Sequence, residues 1–244
     1  MLRPSESPVA NGLIAGLPFR VRDRLLRQDD PVELVAGDVL SEQGQPYSDA
    51  YFPLTGRISQ MVLVAGHPPL SVVLIGSEGM LGATLLLGSD VAPLRAVVQG
   101  SGRAWRVSAV RLRRALRDSS ALRATLGRYL LVRMEQWAQA TACARFHEVG
   151  VRLARCLLLV HDRAHSDRFH MTHQALADML GVQRSAVTLA AGALQAGGVI
   201  RYSRGGIDIL SRDALEAASC GCYAADVDAF ARGFSNGGAR SGNY

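Results

Sequence analysis

A chain of 244 residues with 48% hydrophobic and 20% charged side chains has the composition of one or two folded domains, which excludes disorder over most of its length. The net charge is +6, all 27 basic residues are arginine, and the pI near 9.6 favours polyanionic partners. No apolar run approaches the roughly 20 residues of a membrane-spanning helix, and residues 1–8 lack an export signal, so a cytoplasmic protein without membrane contact is expected.

Residues 1–12 read as a flexible N-terminus, and Asn11 to Arg27 as an amphipathic helix with Leu13, Ile14, Leu17, Val21, Leu25 and Leu26 on its apolar side. From Val32 to about Val107 short runs of valine, isoleucine and leucine alternate with turn signals such as Gly37-Asp38, Gly44-Gln45-Pro46 and Gly66-His67-Pro68-Pro69. That density of strand-length runs predicts an antiparallel, jelly-roll-like β-roll, assigned to residues 13–118.

Helical spacing follows. Ser119 or Ser120 caps a long helix over residues 119–146, with Leu122, Leu126, Leu130, Met134, Trp137 and Ala140 on one broad side. Its apolar character extends to other sides, so it needs two partners, and Leu126, Leu130 and Trp137 are expected to meet the same helix of a second subunit. A second helix from His147 to about Arg163 buries Val149, Leu153, Cys156, Leu157 and Val160, and His165 to Arg168 form a polar loop.

The most informative segment runs from Thr172 to Thr188. Thr172 caps a short helix, Gly181 permits a sharp turn, and a second helix from Gln183 to about Ala196 leaves Gln183, Arg184, Ser185 and Thr188 on its exposed N-terminal side. A helix laid in the major groove reads base edges through its first turns, where arginine bonds guanine bidentately and glutamine bonds adenine. Strands Val199 to Ser203 and Ile207 to Leu210, joined at Arg204-Gly205-Gly206, form a wing whose Arg201, Ser203 and Arg204 face phosphates. Thr172, His173 and Gln174, at the start of the first reader helix, complete the expected DNA-binding set. Residues 147–218 make this winged helix-turn-helix domain, and 219–244 read as a flexible tail.

The order of β-roll, long helix, Thr-His-Gln-x-Leu-Ala-x-x-Leu-Gly-Val-x-Arg-x-x-Val-Thr and wing resembles the Crp/Fnr family of transcription regulators over roughly residues 13 to 215. The resemblance implies an α+β chain, a homodimer on palindromic double-stranded DNA, and a β-roll that senses a small molecule or redox state. Members that bind cyclic AMP carry a Gly-Glu-Leu and Arg-Ser pocket. Here Gly82-Ala83-Thr84 and Leu94-Arg95-Ala96 stand in its place, leaving Gly82, Thr84 and Arg95 as a weak ligand set and arguing against cyclic AMP. Oxygen-sensing members hold an iron-sulfur cluster on cysteines that include an N-terminal set, yet no cysteine precedes Cys143, which argues against a cluster. Ser185 and Leu189 replace residues common in the family's recognition helix, so a different operator follows.

Four cysteines, at positions 143, 156, 220 and 222, suit no disulfide framework in a cytoplasmic protein. Cys220-Gly221-Cys222 is either incidental to the tail or a thiol pair that senses oxidants or binds a soft metal; no metal site is assigned, at these thiols or at His161 and His165. Nine arginines against one acid between Arg103 and Arg133 flank DNA, bind RNA polymerase or solvate a helix. With no nucleophile–base pair or clustered carboxylates, an enzyme is not expected. The reading is therefore a DNA-binding regulator with an effector other than cyclic AMP or none, the alternative being a ligand-binding module that acts through protein contacts.

Overall fold

The computed structural model describes residues 11–27, 30–203 and 205–234. They fall into two compact units, one built from the residues up to Ser59 together with Ile75–Leu126, the other from Gln60–Leu74 together with the residues from Gly127 onward.

The first unit begins with two helices, α1 (Gly12–Ala15) and α2 (Phe19–Leu26), where the sequence reading expected one. Pro18 stands between them and has no N–H to continue a helical ladder. Asn11, placed by sequence in a flexible terminus, is buried. Its Oδ1 accepts from the Leu13 and Ile14 N–H groups, and its Nδ2 donates to the carbonyls of Pro53 at 3.0 Å and Gly79 at 2.7 Å. Residues 1–10 lie outside the described residues.

Seven strands follow: β1 (Val32–Leu34), β2 (Val39–Ser41), β3 (Asp49–Pro53), β4 (Arg57–Val62), β5 (Leu70–Ile75), β6 (Arg95–Gly100) and β7 (Gly102–Ser108). They form one sheet of order β1-β7-β3 and another of order β2-β6-β4-β5. In the first, β7 pairs antiparallel with both neighbours, from Asp49 opposite Ser108 to Pro53 opposite Ala104 and from Val32 opposite Ala104 to Leu34 opposite Gly102. A 3-10 helix (Ala83–Leu87) links β5 to β6, and α3 (Ala109–Asp118) follows β7, capped by the Ser108 hydroxyl on the Arg111 N–H. Phe52, Leu34, Ile58, Leu81 and Leu112 are fully buried.

The long helix α4 (Ser120–Phe146) starts where expected, with the Ser119 Oγ accepting from the Leu122 N–H at 3.1 Å. Its facing differs from expectation. Leu122 and Leu126 are wholly buried, Leu130 and Trp137 are half-buried, and the exposed apolar residues are Leu131 (57%) and Met134 (60%). A helix that is apolar on several sides carries no periodicity that singles out one face, which is why spacing alone misassigned Leu126 to a subunit contact.

In the second unit α5 (Val149–Ala164) packs its Leu153, Leu157 and Val160 into a core with Leu74, Leu176, Val187, Ile200 and Ile207. Leu74, on strand β5 of the four-stranded sheet, also belongs to this core. Then come β8 (Arg168–His170), α6 (His173–Leu180), α7 (Arg184–Ala196), β9 (Ile200–Ser203), β10 (Gly206–Ile209), α8 (Arg212–Ala217) and α9 (Cys222–Phe234). The wing is a three-stranded sheet of order β8-β10-β9, because Arg168, read as loop, pairs with Asp208 and begins a strand.

The tail expected to be flexible is helical as far as Phe234, with Cys222, Tyr223, Asp226 and Ala229 buried; residues 235–244 lie outside the described residues. Arg155 of α5 grips Asp226 of α9 through Nε and Nη2 at 3.0 and 2.5 Å. Arg212 of α8 joins Asp162 at 2.8 Å and the Tyr223 hydroxyl at 2.5 Å. These buried and half-buried pairs dock α9 where apolar area alone is modest. Among the described residues no helix is long and apolar enough to cross a membrane.

Candidate nucleic-acid interface

The reader begins at Thr172, whose Oγ1 accepts from the Ala175 N–H at 3.1 Å and so caps α6. The helix ends at Gly181 with φ 62°. A Cβ there would be strained by its backbone, which favours glycine, and would come to 3.0 Å from Leu70 Cδ1, a side-chain end that would have to shift. Arg152 donates to the Leu180 carbonyl and satisfies the same helix end. Val187 and Ala191 anchor α7 in the core, which turns the opposite side of that helix outward.

Gln183, Arg184 and Ser185 stand exposed at the N-terminus of α7, and none has a side-chain partner among the described residues. The first turn of the helix is thus presented with its polar groups unspent. Leu189, 79% exposed, continues the same surface, followed by exposed Gly192 and Ala193. The sequence marks Leu189 only as a departure from the family pattern; its exposure on this face adds it to the candidate interface.

His173 is engaged within the domain. Its Nδ1 lies 2.9 Å from Thr188 Oγ1, and its ring stacks on Tyr202 of β9 with centroids 4.1 Å apart. Thr188 donates its single hydroxyl hydrogen to the Arg184 carbonyl at 3.1 Å, so the hydroxyl accepts from His173 Nδ1–H. That fixes the tautomer and leaves Nε2 bare and buried without a partner. Desolvation first, and the Arg184 charge second, hold the His173 pKa below its ordinary value. His173 and Thr188 are therefore positioning residues that bind α6, α7 and the wing together.

The remaining expected contacts are partly engaged. Gln174 donates to Asp178 at 2.8 Å. Arg201 pairs with Asp208 at 3.1 Å, and Arg168 reaches the other oxygen of the same carboxylate at 3.2 Å. Ser203 is exposed, and Arg204 lies outside the described residues.

The weak ligand set has the opposite character. Gly82 is buried at φ 90°, with Ala50 Cβ only 3.2 Å from where its own Cβ would stand, so it is a packed turn residue. Thr84 is half-buried on the 3-10 helix, and Arg95 is paired with Glu42 at 3.3 Å. The arginine-rich segment is likewise largely occupied: Arg103 pairs with Glu33, Arg113 with Asp90, Arg123 donates to the carbonyls of Leu116 and Arg117 at the end of α3, and Arg133 donates to Gln136. His161, considered with His165 for a metal, accepts from Arg212 at Nδ1 and donates to Asp167 from Nε2, both at 2.7 Å.

The sequence pattern of the Crp-like helix-turn-helix domain matches residues 151–218. Most of the chain also superimposes on solved structures. A transcriptional regulator of the Crp/Fnr family from Eubacterium rectale is 16% identical with a TM-score of 0.66, covering 84% of this chain and 96% of that one. Residues 151–218 thus match a Crp-like helix-turn-helix domain, and the chain shares the fold of these solved Crp/Fnr structures. The c-di-GMP responsive global regulator CLP of Xanthomonas campestris is 17% identical with a TM-score of 0.66, covering 80% of this chain and 100% of its own. A Crp/Fnr regulator from Thermus thermophilus is 22% identical with a TM-score of 0.65, over 78% and 98%. No curated protein matches the chain in sequence. In the Crp-like domain α6 and α7 are the helix-turn-helix pair and β8-β10-β9 the wing.

Proposed function

We propose that this chain is a dimeric cytoplasmic transcription regulator that reads a palindromic operator through α7, under an effector other than cyclic AMP or under none. The observation that carries the reading is the trio Gln183, Arg184 and Ser185, exposed at the start of a helix whose other side is locked into the core. Arg184 has the reach for guanine O6 and N7, Gln183 for adenine, and Leu189 offers an apolar surface to a thymine methyl. The packed Gly82 and the Glu42-paired Arg95 support an effector other than cyclic AMP.

Dimerisation falls to the exposed stripe of α4. Leu131, Met134, Ala138 and Thr141 recur at spacings of three, four and three on its exposed side, the a/d pattern of a two-helix seam. Leu131→Asp with Met134→Asp is expected to turn a dimer into a monomer in sedimentation velocity without unfolding it.

The deciding experiment is selection of bound duplexes from a random pool, run in parallel with Arg184→Ala. Recovery of a two-fold symmetric site whose half-sites lose preference in the variant supports the reading. Salt-sensitive binding with no enriched sequence would abandon it in favour of a ligand-binding module acting through protein contacts.

A further inference from the structure

We propose that Cys143, His147, Cys220 and Cys222 form a closed site for one divalent metal ion of the zinc class. One ligand atom from each of the four lies within 4.8 Å of all the others. Cys143 Sγ is 3.6 Å from Cys220 Sγ, and Cys222 Sγ is 3.5 Å from His147 Nδ1. A tetrahedral ion about 2.3 Å from sulfur and about 2.0–2.1 Å from nitrogen requires ligand–ligand edges of roughly 3.5–3.8 Å, which the Cys143–Cys220 and His147–Cys222 separations meet, the remaining edges lying within 4.8 Å. They are far longer than the roughly 2.05 Å of a disulfide bond. They are also compact for an iron-sulfur cluster, whose four thiolates are spread over two or more irons.

Local structure explains how the four converge. Cys143 and His147 are one helical turn apart, and the His147 N–H still donates to the Cys143 carbonyl at 3.1 Å, so both side chains leave the end of α4 on one side. Cys220 lies in the short connection between α8 and α9 and Cys222 opens α9, with Gly221 between them. The three thiols are buried as a small cluster of their own, with only the half-buried Val151 packed against it. That is a poor apolar core but a good set of soft donors, since thiolate and imidazole together suit zinc-class ions. Gln139 Nε2 donates to Cys222 Sγ at 3.0 Å, a hydrogen bond of the kind that orients and stabilises a metal-bound thiolate.

With four protein ligands no position is left open for substrate or water, so the site is structural or metal-responsive, not catalytic. An ion there would tie the end of α4 to the start of α9. It requires nothing of the DNA-binding reading, and either can fail alone.

The test uses the full chain purified under reductant from zinc-supplemented cells, with metal content measured by plasma mass spectrometry and zinc then exchanged for Co²⁺. About one zinc per chain is expected, with a cobalt form showing thiolate charge-transfer and tetrahedral visible bands. Cys143→Ser, His147→Ala, Cys220→Ser and Cys222→Ser should each weaken metal retention by about tenfold or more. Cys156→Ala should retain the metal, because the Cys156 thiol lies apart from the four and against Met179 Sδ at 3.9 Å. A wild-type chain that holds no zinc and gives no tetrahedral cobalt spectrum overturns the proposal, and this readout requires no variant to fold. So does retention unchanged in the Cys220 and Cys222 variants, or the recovery of iron with inorganic sulfide.

Discussion

The weak ligand set of the β-sheet unit and the start of α7 in the reader unit differ in what the fold leaves unspent. Arg95, Arg103 and Arg113 of the β-sheet unit are matched with Glu42, Glu33 and Asp90, and Gly82 is packed against Ala50. In the reader unit, the core takes one side of α7 and leaves Gln183, Arg184 and Ser185 with no work to do inside the molecule. A binding surface is recognised less by how basic it is than by which polar groups the fold leaves unoccupied. Formal charge, the first thing sequence reveals, does not distinguish the two.

The comparison can be broken first at the scaffold. Asp226 is 3% exposed and paired with Arg155, so Asp226→Ala strands a buried guanidinium and should cost about 3–5 kcal/mol in chemical denaturation. A loss under 1 kcal/mol would mean that α9 is not docked as described. At the reader, Arg184→Ala should cost about 1–3 kcal/mol of discrimination at one base pair in each half-site, by competition binding. Arg95→Ala should leave operator affinity within about 0.5 kcal/mol; equal losses from both variants would erase the distinction between the units. Thr172→Ala removes the cap of α6 and should lower stability by about 1 kcal/mol, seen in the thermal midpoint.

The smallest effect is a matter of pH. Because burial holds the His173 pKa below its ordinary value, its neutral ring contributes fully above the usual histidine range. That contribution is lost as pH falls through the usual value towards the lower folded one. Wild type should therefore lose more stability than His173→Gln between about pH 7.5 and about pH 5, and parallel curves for the two would refute the bare-Nε2 arrangement.

Much of the reader was legible because its signals are local. A threonine cap, a glycine turn and a glycine hairpin each act within a few residues, and the structure realises all three. What escaped depended on distance along the chain. Strand β8 has three residues and exists only through its pairing with β10. The side of α4 that faces the core was hidden because Leu122, Leu126, Leu131 and Met134 are all apolar while only the first two are buried. Cys143 and Cys220 are 77 residues apart, and nothing local announces that they meet. A cysteine and a histidine four residues apart on one helix, together with a Cys-x-Cys pair, were the available hint. Helix α9 was missed by following the family pattern, which stops near residue 215, past its own amphipathic continuation.

The wing's triangle of Arg168, Asp208 and Arg201 sets a limit on how firmly the protein can hold a phosphate backbone. Two guanidinium groups share one carboxylate, so the three carry a net charge of +1, and an approaching phosphate must exchange places with Asp208 instead of filling an empty seat. Each fully neutralised phosphate steepens the dependence of log affinity on log salt by about 0.9 through released counterions. The triangle should therefore contribute roughly one such increment where two free arginines would contribute two. Asp208 acts as an internal counterion to both arginines, and on the proposed reading it would keep non-sequence-specific grip low and leave the choice of site to α7.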